Sequence, residues 1–252
     1  MQPVSAVATE RATAVATVVL GPKTRLGAAL LATATVNTYA VARDDQDQAA
    51  LASCGATVIG AEASGPLLGG TQPTALRIHV CALGPVHPET AQPGADAANV
   101  DRDLTVVARL LDEAAGRDVH VVLVSSVLAL APAADRTYYA GWKNVVEEEL
   151  VALVAEHSSA RLSVLYPGRL MTAEERRRPW HRMHTTFERL AARMSQAGDG
   201  PGRSRLVGLD ARAWLLARSF SLLATTFSGS RSTRRRHGVA GATETTERYG
   251  IR

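Results

Sequence analysis

Aromatic side chains make up only 4% of this 252-residue chain, and cysteine is rarer still, with Cys54 and Cys81 alone. Two cysteines so far apart match no metal-ligand spacing and no disulfide framework. They read as free thiols in a reducing compartment, which makes a cytoplasmic location the expectation. The shortage of aromatics leaves the core to Ala, Val and Leu, as buried parallel strands prefer. It also removes the aromatic interleaving that a basic nucleic-acid surface carries. No uncharged apolar stretch of about 18 residues occurs, so no membrane span is expected. The segment from Met1 to Ala16 has Glu10 and Arg11 but no basic region ahead of an apolar run, which argues against a secretory signal.

What is present fits one large globular α/β domain: 46% apolar residues and a length that allows a sizeable buried core. The net charge is +4 and the pI about 9.4. The excess gathers at Arg176 to Arg178 and between Arg231 and Arg236, and reads as a solvated face and a tail. No nucleic-acid partner is expected. His79, His87, His120, His181 and His184 lack the spacing and the accompanying carboxylates of a metal site, so no metal is expected either.

Along the chain, short Val/Ile-rich runs alternate with helical stretches. Strands are expected at 13–20, 37–42, 57–59, 75–82, 119–124 and 161–165, and helices at 26–34, 46–53, 99–115 and 139–156. Such alternation predicts a doubly wound parallel sheet, a Rossmann-type fold. A charged helical segment follows over 172–194, then a Gly/Pro loop at 198–202 and an apolar helix over 210–223. The expected domain spans 13–227, with 172–200 as a small substrate lid and 228–252 as a loop or disordered tail.

Ligands of doubly wound sheets meet the carboxyl ends of the strands. Gly21, Gly84, Ser126 and Pro167-Gly168 all fall at predicted strand ends. Tyr139 and Lys143 stand four residues apart, one turn of helix, with Ser126 upstream on a strand end. A phenol has a pKa of about 10, so it needs help to work near neutrality, and a nearby ammonium favours its phenolate. Tyr139 can then exchange a proton with a substrate oxygen that Ser126 holds. A Tyr-x-x-x-Lys pair is common by chance; the serine strand end and the βαβ frame give it weight.

From about residue 15 to residue 170 the chain resembles the short-chain dehydrogenase/reductase family. Val121 to Ser126 is similar to its strand ending in Ser-Ser, and Tyr139 and Lys143 match its Tyr-x-x-x-Lys. The resemblance implies a catalytic group of Ser126, Tyr139, Lys143 and Asn99, the last opening a helix and supporting a proton relay. It implies a nicotinamide dinucleotide held by the turn Gly21, Lys23, Thr24, Arg25, Leu26 and Gly27, with Lys143 on the ribose. Glu62 and Gly84 match adenine-side positions, and Pro167-Gly168 a strand end beside the nicotinamide. The turn departs from the family pattern, because the middle glycine is Arg25 or Thr24, depending on the branch compared. Lys23 and Arg25 add charge for a phosphate, or the site has decayed. Arg43, after the second strand, suits a 2′-phosphate, whereas Asp44 would suit a free ribose diol, so NADP (NADPH) is favoured over NAD.

The expected function is a carbonyl/alcohol oxidoreductase, a ketoreductase in kind, acting on a small, secondary-metabolite-like substrate. Other readings are a redox-neutral epimerase, dehydratase or cyclase on the same fold, or a catalytically silent nucleotide-sensing protein. Trp180, His184 and Phe187 are candidates to shape the lid pocket, and His87 to line the substrate cleft. The face of the long helix carrying Val145, Val146, Leu150, Val151 and Val154 permits a homodimer or homotetramer, although some of these must cover the sheet.

Overall fold

The computed structural model describes residues 15–33, 37–70, 72–85 and 93–232, without the side chains of Pro93 and of 222–232. Seven parallel strands form the main sheet: β1 (Ala16–Leu20), β2 (Thr38–Ala42), β3 (Thr57–Gly60), β4 (Ala75–Val80), β5 (Asp118–Val124), β6 (Ala160–Pro167) and β9 (Arg205–Val207). Their order is β3-β2-β1-β4-β5-β6-β9, so the chain winds outward from β1, crosses back, and winds out the other way from β4. The strand order reverses between β1 and β4, the point at which doubly wound sheets take ligands beyond the carboxyl ends of their strands.

Alternation along the strands builds a core on each face. Val18, Leu20, Ile78, Val80, Val121 and Leu123 pack with Leu110 of α3 (Pro93–Glu113) and with Val146 and Leu150 of α5 (Thr137–Ala155). Val19, Ala40, Val122 and Val124 face the other way. They meet Leu26 and Leu30 of α1 (Arg25–Leu31) and Leu190 and Met194 of α6 (Phe187–Gly198). Strands covered on both faces need apolar side chains at every position, hence Val-Val-Leu-Val rather than an alternating pattern.

Four sequence expectations change. The helix expected from Asn99 begins at Pro93, so Asn99 lies in its second turn and does not open it. The stretch 172–194 is mostly not helical. Leu170–Met171 (β7) pairs with Thr185–Thr186 (β8), a 3₁₀ turn spans Pro179–Met183, and α6 starts at Phe187, where Thr186 caps the Arg189 N–H. Pro179 and the neighbouring like charges keep a helix from propagating earlier. The strand β9 was not expected: three residues flanked by Gly202 and Gly208 carry no periodic signal, and only the edge of β6 completes them. Finally α7 (Leu209–Ser232) continues past residue 227; residues 233–252 lie outside the described residues.

The described chain divides into a compact unit ending at Leu215 and a second beginning at Leu216, helical as far as Ser232. No helix among the described residues is long and apolar enough to cross a membrane.

A polar layer is buried under α6. His120 is fully buried, with Nδ1 2.9 Å from the Gly198 carbonyl oxygen and Nε2 2.9 Å from Ser163 Oγ. His79 is 3% exposed and neither ring nitrogen has a hydrogen-bond partner. Burial, with the charge of Arg77 as a smaller contribution, holds the pKa of His79 down to about 4. Burial and the Arg161 charge bring His120 to about 4 as well. These are strand histidines of the core, not surface groups.

Candidate active site

Strand β5 ends at Val124, and Ser126 caps the short helix α4 (Val127–Leu130) by accepting the Leu128 N–H at 3.2 Å. The Ser126 side chain also acts on the phenol of Tyr139, lowering its pKa; Tyr139 is 9% exposed on the first turn of α5. Lys143, one turn on and 5% exposed, places Nζ 5.4 Å from the Tyr139 ring centroid. Ser126, Tyr139 and Lys143 therefore converge beside the carboxyl end of β5.

The electrostatics differ from the sequence expectation in one respect. The Tyr139 pKa is raised by burial, and the Ser126 side chain offsets this only in part. Lys143 does not lower it. Its ammonium donates to the Leu83 carbonyl at 2.9 Å, and its own pKa is pushed down to about 8 by burial. Desolvation penalises both charged forms and is the largest influence on each.

Glu147, a residue the sequence reading passed over, stands one turn beyond Lys143 on the same face of α5. Its carboxylate accepts from the Ser125 hydroxyl and, at 2.6 Å, from the Tyr166 hydroxyl. It thereby ties α5 to the ends of β5 and β6, next to Ser126 and Pro167. Its charge also raises the Lys143 pKa against the effect of burial. A signal existed in the Lys-x-x-x-Glu spacing, but the partners come from two other elements.

The turn after β1 keeps two of its three glycine roles. Gly21 has φ +74°, and a Cβ there would meet Ala82 Cβ at 3.0 Å. At Gly27 a Cβ would collide with the Gly21 carbonyl and lie 2.6 Å from Pro22 Cα, so only glycine lets α1 start against the turn. Thr24 is the N-cap: its hydroxyl donates to the Gly21 carbonyl at 2.8 Å and accepts the Gly27 N–H at 3.0 Å. Arg25 and Leu26 open the helix, where backbone N–H groups have no acceptor within the helix. The Arg25 side chain points away from the turn, 3.4 Å from Glu175 and 5.8 Å from the Phe187 ring centroid. Lys23 is likewise engaged, with Asp47 at 2.6 Å.

At the end of β2, Arg43 donates to the buried Asp103 of α3 at 2.7 Å. Asp44 caps α2 (Asp45–Leu51) by accepting the Asp47 N–H at 2.7 Å, so its carboxylate is committed to the helix start. Glu62 is exposed just after β3, and Gly84 has φ +70° beside Val100 and Val146. The Asn99 side chain accepts from Arg102 at 2.5 Å, and no contact joins it to Tyr139 or Lys143. Pro167 ends β6. Gly168 faces the Asp210 carboxylate, which accepts the Arg169 N–H at 2.7 Å and pairs with His184 at 2.8 Å. His184 thus ties the segment after β7 to Asp210, Phe187 contacts Arg25, and Trp180 is 57% exposed against Arg178. His87 lies outside the described residues.

No family model and no curated protein matches the chain in sequence. Solved structures do match in shape. A short-chain dehydrogenase from Burkholderia cenocepacia J2315 in complex with NADP superposes with a TM-score of 0.61 at 18% identity, covering 85% of this chain and 97% of its own. BdcA in complex with NADPH gives 0.54 at 15% identity, over 79% and 95%. A putative β-ketoacyl-ACP reductase gives 0.58 at 17% identity, over 80% and 99%. Sheet order, crossover and shape together give this chain the Rossmann-like α/β fold of the short-chain dehydrogenase/reductases.

Proposed function

We propose that the protein is an NADP-dependent oxidoreductase that reduces the carbonyl of a small-molecule substrate. The observation that carries this reading is the placement of Ser126, the buried Tyr139 and the buried Lys143 together past the carboxyl end of β5, with Lys143 Nζ 5.4 Å from the Tyr139 ring centroid. The fold neighbours crystallised with NADP and NADPH support the choice of cofactor. The residues present fit such a group: Gly21 and Gly27 keep the turn free of Cβ atoms, and Arg43 ends the second strand with donors beyond the one given to Asp103.

Bound NADPH supplies a hydride to the carbonyl carbon. Ser126 holds the carbonyl oxygen through its hydroxyl. Tyr139 gives that oxygen a proton from its phenol OH, the task that suits a phenol kept neutral by burial. Lys143 keeps a positive charge in the pocket below about pH 8 and would hold the ribose of the bound cofactor. Arg43 would pair with the 2′-phosphate, and Arg25 and Leu26 would offer backbone N–H groups to the pyrophosphate. Assembly through α5 would use Val145 and Val151, the two of its five apolar candidates that are exposed.

Titration with NADPH and NADH by fluorescence or calorimetry tests the reading. Micromolar NADPH binding is expected, and Tyr139→Phe should keep it while losing about 100-fold or more in ketone reduction. Absence of binding at about 1 mM would instead favour a catalytically silent protein. That second reading draws on Thr24, whose hydroxyl occupies the Gly27 N–H.

A further inference from the structure

Between the end of β6 and the first turn of α6 the chain forms a cavity of about 430 Å³, lined by Ala173, Arg176, Arg182 and Arg189. Three guanidinium groups on one concave wall repel one another, so in a folded protein such a group is normally balanced by carboxylates. The segment 172–189 holds five arginines and three glutamates, and those glutamates are engaged elsewhere. Glu175 accepts from the Thr172 N–H at 2.7 Å and pairs with Arg25. The Glu174 carboxyl is held below its usual range by its own backbone N–H and then by the Thr172 side chain. Glu188 faces a separate groove between α1 and α6. Among the described residues no ion pair joins Arg176, Arg182 or Arg189 to a carboxylate.

The wall is also held in place. Arg176 donates from Nε to the His181 carbonyl at 3.2 Å and from Nη2 to the Arg182 carbonyl at 2.9 Å, which fixes the 3₁₀ turn around it. Arg189 is anchored by the Thr186 cap on its backbone N–H at 3.2 Å. Arg176 keeps N–H groups unused by these bonds, and Arg182 and Arg189 are exposed. Planar forks of this kind match the oxygens of a tetrahedral dianion better than single point charges do. The cavity is larger than one phosphate, leaving space for the group that carries it.

We propose that this pocket binds the phosphate or diphosphate group of a ligand other than the cofactor, which makes the lid segment an anion subsite. The phosphate affinity stands on the arginine geometry alone; assignment of the subsite to a substrate rests on the oxidoreductase reading. The shared chemistry is the phosphate oxyanion, whether part of a substrate or free in solution.

Calorimetric titration of the full chain with inorganic pyrophosphate, and separately with NADPH, tests this in wild type, Arg182→Gln and Arg189→Gln. Both side chains are exposed, so thermal melting should not move and folding is not at issue. Wild type should bind pyrophosphate with and without saturating NADPH. Each variant should lose about 10-fold in pyrophosphate affinity, as expected for a charge-assisted bond, with NADPH affinity unchanged. A phosphorylated ketone reduced with a lower KM than its unphosphorylated analogue, an advantage lost in both variants, would identify the source as substrate. No pyrophosphate binding at about 10 mM, or equal binding by the variants, overturns the pocket. Joint loss of pyrophosphate and NADPH affinity overturns it too, by making the arginines part of the cofactor's seat. If NADPH fails to bind but pyrophosphate binding remains arginine-dependent, the pocket stands and the oxidoreductase reading falls.

Discussion

Arg43, at the end of the second strand, donates to Asp103 of α3 at 2.7 Å, and Asp103 is 3% exposed. Burial raises the Asp103 pKa, and the guanidinium draws it back. One side chain thus neutralises a buried carboxylate and presents charge at the position where a 2′-phosphate is proposed to lie. Arg43→Leu should cost about 3 kcal/mol by stranding Asp103, and should reduce the preference for NADPH over NADH. Arg43→Leu/Asp103→Leu should recover most of the stability and none of the preference. Chemical denaturation and paired cofactor titrations check both. A double variant no more stable than the single one would refute the account of the pair.

The Lys143 pKa of about 8 sets a pH dependence. The ammonium is present below that value and lost above it, so NADPH affinity should fall as pH rises through about 8, where an exposed lysine would keep its charge to about 10.5. Because the Glu147 charge raises the Lys143 pKa, Glu147→Gln should move this limb to lower pH. The loss of charged acceptors for Ser125 and Tyr166 should also cost about 1–2 kcal/mol. A limb that stays in place in Glu147→Gln would remove the electrostatic part of this role.

His79 and His120 have folded-state values of about 4, below the usual 6.5. The unfolded chain therefore binds more protons between those values, and these two groups should make stability drop as pH falls from about 6.5 to about 4. His79 has no hydrogen-bond partner, so His79→Leu should be more stable than wild type by about 1–3 kcal/mol at pH 7 and should flatten the acid limb. Melting curves across pH decide this; an unchanged acid limb would count against His79 as its source.

Gly27→Ala should disrupt the first turn, since the new Cβ would lie 2.6 Å from Pro22 Cα. A loss of about 2 kcal/mol or more and severe weakening of NADPH binding are expected. Gly141, on α5, has nothing within 4 Å of its Cβ position, and Gly141→Ala should add up to about 1 kcal/mol of stability. Circular dichroism melts of the two variants should therefore move in opposite directions.

The fold was largely legible because its signals are local. Val-rich runs ending at Gly21 or Ser126, and helices spaced between them, follow from residue periodicity, and six of the seven main-sheet strands were expected. Arg205–Val207 was not legible, since three residues become a strand only by pairing with β6. Helical composition over 172–194 was misleading because Pro179 and the arginine run interrupt what the composition suggested.

At the site, residue type and spacing determined that Ser126, Tyr139 and Lys143 share one end of the sheet, because a strand end and one helix turn leave little freedom. Tertiary structure alone decided their energetics. Burial raises Tyr139 and lowers Lys143, Leu83 takes the ammonium, and Glu147 joins from one turn beyond to bind hydroxyls at the ends of two strands. It likewise decided that Arg43 meets Asp103 and that Asp44 caps a helix rather than facing the crevice. Desolvation and partner choice depend on what packs around a group in three dimensions, and sixty residues of chain separate Arg43 from Asp103 and Lys143 from Leu83.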